Sequence, residues 1–271
     1  MPETKPNSLM RISEIYQSKQ GEGLLTGTPS VFVRTSGCNL RCRFCDTPFT
    51  SWSPEGETRS LDQVVHEVCR VAGGATHVVV TGGEPMLPQD IVSLCRMLHE
   101  SGFHITIETA GTIDRELACD LMSISPKLSN SDPDLERAGT WRQRHQQTRH
   151  QPEVVARLIH QYPHQLKFVV AAPEDVDEIL SFLDEVEQQL LAIRRDEVEH
   201  EKESNLHSAP ELDSSSAKTN IDPQRVLLMP EGIDQATLQQ REAWLQPICD
   251  AHQFQLCRRM HILWYGNQRG T

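Results

Sequence analysis

Three thiols fall within eight residues of this chain, in Gly37-Cys38-Asn39-Leu40-Arg41-Cys42-Arg43-Phe44-Cys45-Asp46-Thr47, spaced Cys-x3-Cys-x2-Cys. Thiolates are soft ligands that suit iron–sulfur clusters, zinc and copper(I). A structural zinc or a fully ligated cluster wants four ligands. The next cysteine, Cys69, falls in a predicted helix, and the nearest downstream histidine is His66. No local fourth ligand is evident. Three ligands leave one metal position open to an exogenous molecule, which a reactive site needs and a structural site avoids. The plainer alternatives are a zinc site completed by a distant histidine, or buried cysteines that bind nothing.

A second chemical feature is the turn Thr81-Gly82-Gly83-Glu84-Pro85. Two glycines let the backbone turn sharply and approach a ligand closely, and Glu84 could bond a cationic ammonium group. Gly-Gly turns after strands are common, so this turn alone is also compatible with a plain connection. Ser125-Pro126-Lys127 and Met229-Pro230 likewise follow strand-like runs. The remaining cysteines, Cys69, Cys95, Cys119, Cys249 and Cys257, are scattered, and no second cluster is expected from them. Cys69 and Cys95 read as small buried hydrophobes on helix faces.

These residues need elements to hold them. Val31 to Val33 is a short β-rich run ahead of the cysteine loop. Ser60 with Gln63 is a capping-box signature. Leu61, Val64, Val65 and Val68 then recur at helical spacing until Gly73-Gly74. Val78 to Thr81 reads as a strand buried on both faces of a parallel sheet. Ile91, Leu94, Cys95 and Leu98 mark a helix ended by Gly102. Phe103–Glu108 reads as strand, Asp114–Leu121 as helix and Met122–Ser125 as strand. Leu166–Val170 and Arg225–Met229 are further strands, with helices starting near Glu174 and Asp234, and Phe254–Arg258 is a last strand candidate. This rhythm implies right-handed βαβ crossovers and a parallel sheet. About six units fit a partial barrel, a closed barrel or a doubly wound sheet. The cysteine loop and the Gly-Gly turn both follow strands, at the carboxyl ends where α/β folds put their chemistry. Two stretches break the rhythm: 129–152 is polar, and 194–222 is acidic, Glu- and Ser-rich, and reads as a solvated loop or frayed helix extension.

The bulk numbers agree with a folded enzyme-sized chain. It has 271 residues, 37% hydrophobic and 24% charged, with a formal net charge of -12. That balance argues against a phosphate-gripping nucleic-acid binder. No stretch approaches 18 apolar residues and the N-terminus lacks an apolar leader core, so an unexported, cytoplasmic protein without membrane contact is expected. Eight cysteines in such a protein point to metal binding rather than to disulfides.

Cys-x3-Cys-x2-Cys with Phe44 before the third cysteine resembles the signature of the radical SAM superfamily. The ordered set Glu14 to Gly23, Thr28 to Arg34, Cys45-Asp46-Thr47 with Trp52 soon after, Glu108-Thr109-Ala110-Gly111-Thr112 and Ser125-Pro126-Lys127-Leu128 further resembles the 7-carboxy-7-deazaguanine synthase family. The resemblance covers residues 12–128, the strand at 225–232 more loosely, and the C-terminus around His261. It implies one radical SAM domain over 1–271, an α/β partial (β/α)6 barrel with a parallel sheet. It implies a [4Fe–4S] cluster on Cys38, Cys42 and Cys45, and S-adenosylmethionine held near Phe44, Cys45, Asp46, Gly83, Glu84, Ser125, Pro126, Lys127, Met229 and Pro230. Thr47 would supply a hydroxyl to Mg²⁺. Lys19, Gln20, Gly21, Glu22, Arg34, Thr81 and His261 would meet the substrate, with Arg34 pairing its carboxylate.

The implied reaction contracts the ring of 6-carboxy-5,6,7,8-tetrahydropterin, releases ammonia and regenerates S-adenosylmethionine, with an electron donor such as flavodoxin and a homodimeric enzyme. No acid–base pair is required if a radical moves the hydrogen. Two rivals stand beside this reading: an enzyme that makes a glycyl radical on a partner protein, and a non-catalytic zinc or iron–sulfur module.

Overall fold

The computed structural model describes residues 8–204 and 221–271. Nine strands among the described residues form one sheet in the order β3-β1-β2-β4-β5-β6-β7-β8-β9. β2 (Pro29–Thr35), β4 (His77–Gly82), β5 (His104–Thr109), β6 (Leu121–Ile124), β7 (His164–Val170), β8 (Val226–Pro230) and β9 (Gln255–Leu256) run parallel. β1 (Leu9–Lys19) and β3 (Glu57–Ser60) extend the β2 edge antiparallel. The first and last strands do not pair, so the sheet is open: the partial-barrel alternative, not the closed one.

The two faces of the sheet differ in chemistry because side chains alternate along a strand. Val31, Val33, Val78, Val80, Ile105, Ile107, Met122, Ile124, Leu166, Phe168 and Leu228 belong to one apolar core. That face is covered by α1 (Leu61–Val71), α2 (Ile91–Glu100), α5 (Pro152–Gln161), α6 (Asp175–Ser204) and α7 (Gln235–His252). Phe168 meets Phe182 of α6 edge to face at 6.0 Å, a contact whose deletion to alanine costs about 3–5 kcal/mol. The opposite face carries Arg34, Thr81, Glu108, Ser123 and Lys167, which open on a cavity.

Local signals place several of these elements. Ser60 Oγ accepts from Gln63 N (3.3 Å) while Gln63 Oε1 accepts from Ser60 N (2.9 Å), the reciprocal cap expected for α1. Gly73 and Gly74 follow with φ of +53° and +91°. Asp234 caps α7 by accepting from Thr237 N at 2.9 Å.

Three expectations change. Asp114–Leu121 is not a helix: 110–120 crosses without helix or strand, with Leu121 already in β6. So short a link is at the lower limit for a parallel crossover, and its polar groups bond to neighbours instead. Arg115 Nε donates to Met86 O (2.6 Å), and Leu117 N donates to Tyr162 Oη (3.0 Å). The stretch 129–152 is not a bare polar excursion, because it folds as α3 (Leu135–Ala138) and α4 (Trp141–Arg149), leading into α5. Cys69 is exposed on α1, unlike Cys95, which is buried in the core. The acidic stretch 194–222 begins as a continuation of α6, and 205–220 lies outside the described residues.

Candidate active site

The cysteine loop leaves β2 through Ser36 and Gly37 and is held by the turn that ends β4. Gly83 N donates to Thr35 O (3.2 Å), Glu84 N to Gly37 O (2.9 Å) and Gly37 N to Thr50 O (2.8 Å). A Cβ on Gly83 would lie 2.0 Å from Gly37 O, and one on Gly82, at φ +125°, 2.2 Å from Thr35 O. Both glycines are therefore required by backbone contact between turn and loop. Cys38, Cys42 and Cys45 open on one cavity of about 930 Å³ at the carboxyl ends of the parallel strands. Burial pushes the Cys38 and Cys42 thiols up to about 12, so both are neutral unless a metal takes the proton's place. Cys45 Sγ lies 3.2 Å from Ser51 Oγ. Among the described residues no three His, Cys, Asp or Glu side chains are gathered tightly enough to hold one metal ion. The three thiols share one cavity wall, and an iron–sulfur cluster takes its ligands as cysteine thiolates.

The outside of the loop is braced by α3 and α4. His145 is fully buried. Its Nδ1 accepts from Arg41 N (3.1 Å), which leaves the proton on Nε2 to face Ser131 Oγ (3.0 Å). Burial lowers its pKa to about 4, so it is neutral. Arg41 Nη1 donates to Cys38 O (2.9 Å) and Trp52 Nε1 to Cys42 O (3.0 Å).

The cavity floor is a buried charge network. Lys167 Nζ bonds Glu22 Oε2 at 2.6 Å and approaches Glu108 Oε1 at 3.4 Å. Thr81 Oγ1 donates to Glu108 Oε2 (2.7 Å). Arg259 joins Glu22 (3.1 Å) to Asp46 and donates to Gly232 O (2.7 Å). Burial alone would raise the Glu22 carboxyl, but the Lys167 and Arg259 cations outweigh it and hold the group far below its ordinary value. Burial alone would lower Lys167, and the two carboxylates reverse that and raise it. His261 is lowered chiefly by burial and sits 3.9 Å from Glu22. Gly21 makes room for His261: a Cβ there would lie 2.5 Å from the ring.

On one side of the cavity, β1 pairs Glu14 with Arg34 and Tyr16 with Phe32 across the strands. Arg34 Nε bonds Glu14 Oε2 (3.1 Å) and its Nη2 donates to Tyr16 Oη (2.8 Å). Burial opposes its charge, but Tyr16, Asp46 and Glu14 raise its pKa and keep it cationic.

Gln20, Gly21, Glu22, Arg34, Phe44, Asp46, Thr47, Thr81, Gly83, Ser125, Lys127, Met229, Pro230 and His261 all line this cavity with the three cysteines. Three expected residues do not. Glu84 is fully buried behind the wall, with its oxygens accepting from Met86 N (3.0 Å), Thr109 Oγ1 (2.8 Å) and Ala110 N (2.9 Å). It ties the β4 turn to the β5 turn instead of presenting a carboxylate to an ammonium group. Lys19 ends β1 with its ammonium 5.9 Å above the Trp264 ring, and Pro126 is off the wall. Sequence reasoning missed Glu14, Tyr16, Glu108, Lys167 and Arg259. Lys167 left a signal, a charge inside the apolar run Leu166 to Val170. Glu14, Tyr16 and Glu108 lie in the stretches that carry the family resemblance without a role given to them, and Arg259 left no signal.

The radical SAM superfamily model matches residues 32–130. The 7-carboxy-7-deazaguanine synthase of Rhodopirellula baltica is 41% identical over 265 residues, covering 97% of this chain and 90% of that protein. The protein of the same name from Halobacterium salinarum is 41% identical over 258 residues, covering 93% and 90%. Among solved structures, QueE from Escherichia coli superposes with a TM-score of 0.55 at 22% identity, covering 93% of this chain and 95% of that one. That last likeness speaks for the fold.

Proposed function

The chain belongs to the 7-carboxy-7-deazaguanine synthase family, and from that premise we propose how its residues serve the family's reaction. The enzyme is a radical SAM carbon–nitrogen lyase of queuosine biosynthesis. It contracts 6-carboxy-5,6,7,8-tetrahydropterin to 7-carboxy-7-deazaguanine and releases ammonia. Family membership displaces the glycyl-radical-activating and zinc-module readings. The observation that carries the assignment to this cavity is the opening of Cys38, Cys42 and Cys45 onto the same space as Arg34 and the Glu22–Lys167 pair.

The residues fit the implied cofactors. Among the described residues the cavity wall carries three cysteines, Cys38, Cys42 and Cys45, the number that would hold a cluster with one iron open. A [4Fe–4S] cluster held by Cys38, Cys42 and Cys45, together with S-adenosylmethionine, would supply radical hydrogen-transfer chemistry at the substrate. Around that chemistry the chain's part is binding, orientation and charge. Phe44, Cys45 and Asp46 pack along the nucleoside side, and the Gly83 backbone, Ser125, Lys127 and the Met229-Pro230 strand end hold the remainder of S-adenosylmethionine.

Arg34, prealigned by Glu14 and Tyr16, meets the pterin carboxylate as a planar two-pronged donor. Gln20, Gly21, Glu22, Thr81 and His261 read the polar edge of the ring. Lys167 and Arg259 keep Glu22 ionised, so it acts as a hydrogen-bond acceptor. Thr47 offers a hydroxyl to Mg²⁺, an ion that keeps several non-protein ligands and so needs few from the chain. The whole of 1–271 serves as one domain, a homodimer working in the cytoplasm with an external electron donor. No helix among the described residues is long and apolar enough to cross a membrane.

The test is anaerobic. The reconstituted protein is given dithionite, S-adenosylmethionine and the carboxytetrahydropterin, with and without Mg²⁺, and product is followed by mass spectrometry. The expected outcome is loss of ammonia without stoichiometric consumption of S-adenosylmethionine, stimulation by Mg²⁺, and no product from Cys42→Ala. Full activity in Cys42→Ala would end the assignment of the site.

A further inference from the structure

The Arg259 guanidinium divides its three nitrogens among three separate segments of the chain. Nε donates to Glu22 Oε1 (3.1 Å), Nη1 to Gly232 O (2.7 Å) and Nη2 to Asp46 Oδ2. Glu22 belongs to the loop after β1, Gly232 to the turn after β8, and Asp46 to the end of the cysteine loop. Arg259 itself is buried. Its base is fixed on both sides. Cys257 N donates to Leu228 O (2.8 Å), Met260 N to Gly21 O (2.8 Å) and Gly23 N to Cys257 Sγ (3.3 Å).

The two carboxylates on this guanidinium face different ligands in the proposed reaction. Glu22 reads the pterin edge, whereas Asp46 packs along the nucleoside of S-adenosylmethionine. Both line the cavity, but they are not held equally. The Glu22 side chain is 15% exposed and also has Lys167 at 2.6 Å. The Asp46 side chain is 46% exposed, and among the described residues Arg259 is its one hydrogen-bonding side-chain partner. A guanidinium is planar, and its donors keep a fixed angle to one another. A turn of the plane that follows Glu22 onto a ligand therefore carries Asp46 with it. A lysine ammonium, a point charge on a flexible stem, satisfies one carboxylate without imposing an angle on the other.

We infer that Arg259 is a positioning residue that couples the pterin site to the S-adenosylmethionine site through Glu22 and Asp46. The inference rests on the proposed function and adds to it a communication between the two ligand sites. The first ligand to bind orders the shared fork, and the second meets a fork already set. Such a coupling is reciprocal, so each ligand raises the affinity for the other by the same factor. An arginine that only held the fold together, or only kept Glu22 ionised, would produce no such factor.

The experiment uses the full-length protein with its cluster reconstituted, anaerobically and without a reductant, so that no turnover occurs. Carboxytetrahydropterin is titrated calorimetrically without S-adenosylmethionine and again at its saturation, and the reciprocal titration exchanges the two ligands. In the wild type S-adenosylmethionine tightens pterin binding about fivefold or more, and the reciprocal titration returns the same factor. In Arg259→Lys, which keeps a cation beside Glu22, the factor falls to about one, whatever the variant's affinity for the pterin alone. Asp46→Ala removes the acceptor at the other end, at a half-exposed position, and also brings the factor to about one. It carries the test by itself if Arg259→Lys does not fold, and iron content and thermal unfolding check each variant. A merely structural role would weaken pterin binding equally with and without S-adenosylmethionine and leave the factor intact. A wild-type factor of about one, or a factor retained in either variant, overturns the inference. Absence of pterin binding by the wild type removes the proposed function and the inference with it, whereas pterin binding that ignores S-adenosylmethionine removes the inference alone.

Discussion

Replacing Lys167 by methionine tests the buried charge network most directly. The Lys167 side chain is almost fully buried, 2.6 Å from Glu22 and 3.4 Å from Glu108. Methionine fills similar volume and removes only the charge. Breaking a buried ion pair from one side costs about 3–5 kcal/mol, because the partner is left uncompensated. Arg259 remains 3.1 Å from Glu22, so the lower end applies, about 3 kcal/mol. At about 2–4 °C per kcal/mol for a domain of this size, Tm falls by about 6–12 °C.

The pH dependence has a definite sign. Glu22 is held below its ordinary 4.5, so its contribution is complete above that value and is lost as pH falls through the folded-state pKa. Lys167 is held above its ordinary 10.5, so its contribution is complete below that value and is lost as pH rises through the folded-state pKa. The pair therefore stabilises most between these limits, and the gap between wild type and Lys167→Met narrows in acid. Anaerobic urea denaturation followed by tryptophan fluorescence at neutral pH and at about pH 4 reads both effects. The double variant Lys167→Met/Glu22→Gln recovers part of the loss, since the uncompensated carboxylate at Glu22 is then gone. A single-variant loss below about 1 kcal/mol at neutral pH, or a gap that does not narrow in acid, would refute the network as an energetic unit.

Gly83→Ala drives a Cβ into the Gly37 carbonyl at a nominal 2.0 Å; backbone must move, stability falls by about 1–3 kcal/mol, and iron content after reconstitution drops with it. His145 is neutral and buried with its pKa lowered to about 4 by burial. The unfolded chain therefore takes the proton first, and up to about 3 kcal/mol of stability present above about pH 6.5 is lost by about pH 4. In His145→Gln that slope flattens in acid titrations of denaturation. Arg34→Lys removes the planar fork while keeping the charge, so the pterin KM rises about tenfold or more with cluster content and S-adenosylmethionine cleavage retained, as steady-state kinetics would show.

What could be read without coordinates was local. The thiol spacing, the Gly-Gly turn, the Ser60–Gln63 cap and the apolar runs at Val78, Leu166 and Val226 each announce themselves within a few residues, because hydrogen-bond geometry and side-chain periodicity are short-range properties of a chain. They sufficed for a parallel α/β sheet with a metal-binding loop at its carboxyl end. The helix expected over 114–121 failed because its apolar spacing was weighed without the crossover it had to complete. Glu84 misled for a related reason: a carboxylate beside a glycine turn looks available until the β5 turn arrives and occupies it. The charge network was invisible because its members are distant in sequence. Lys167 meets Glu22 across 145 residues, Arg259 meets Asp46 across 213, and His145 reaches Arg41 across 104. A lone charge in a sequence reads as solvent-facing. Only the sheet, by stacking strand ends side by side and excluding water from between them, decides which charges must find each other.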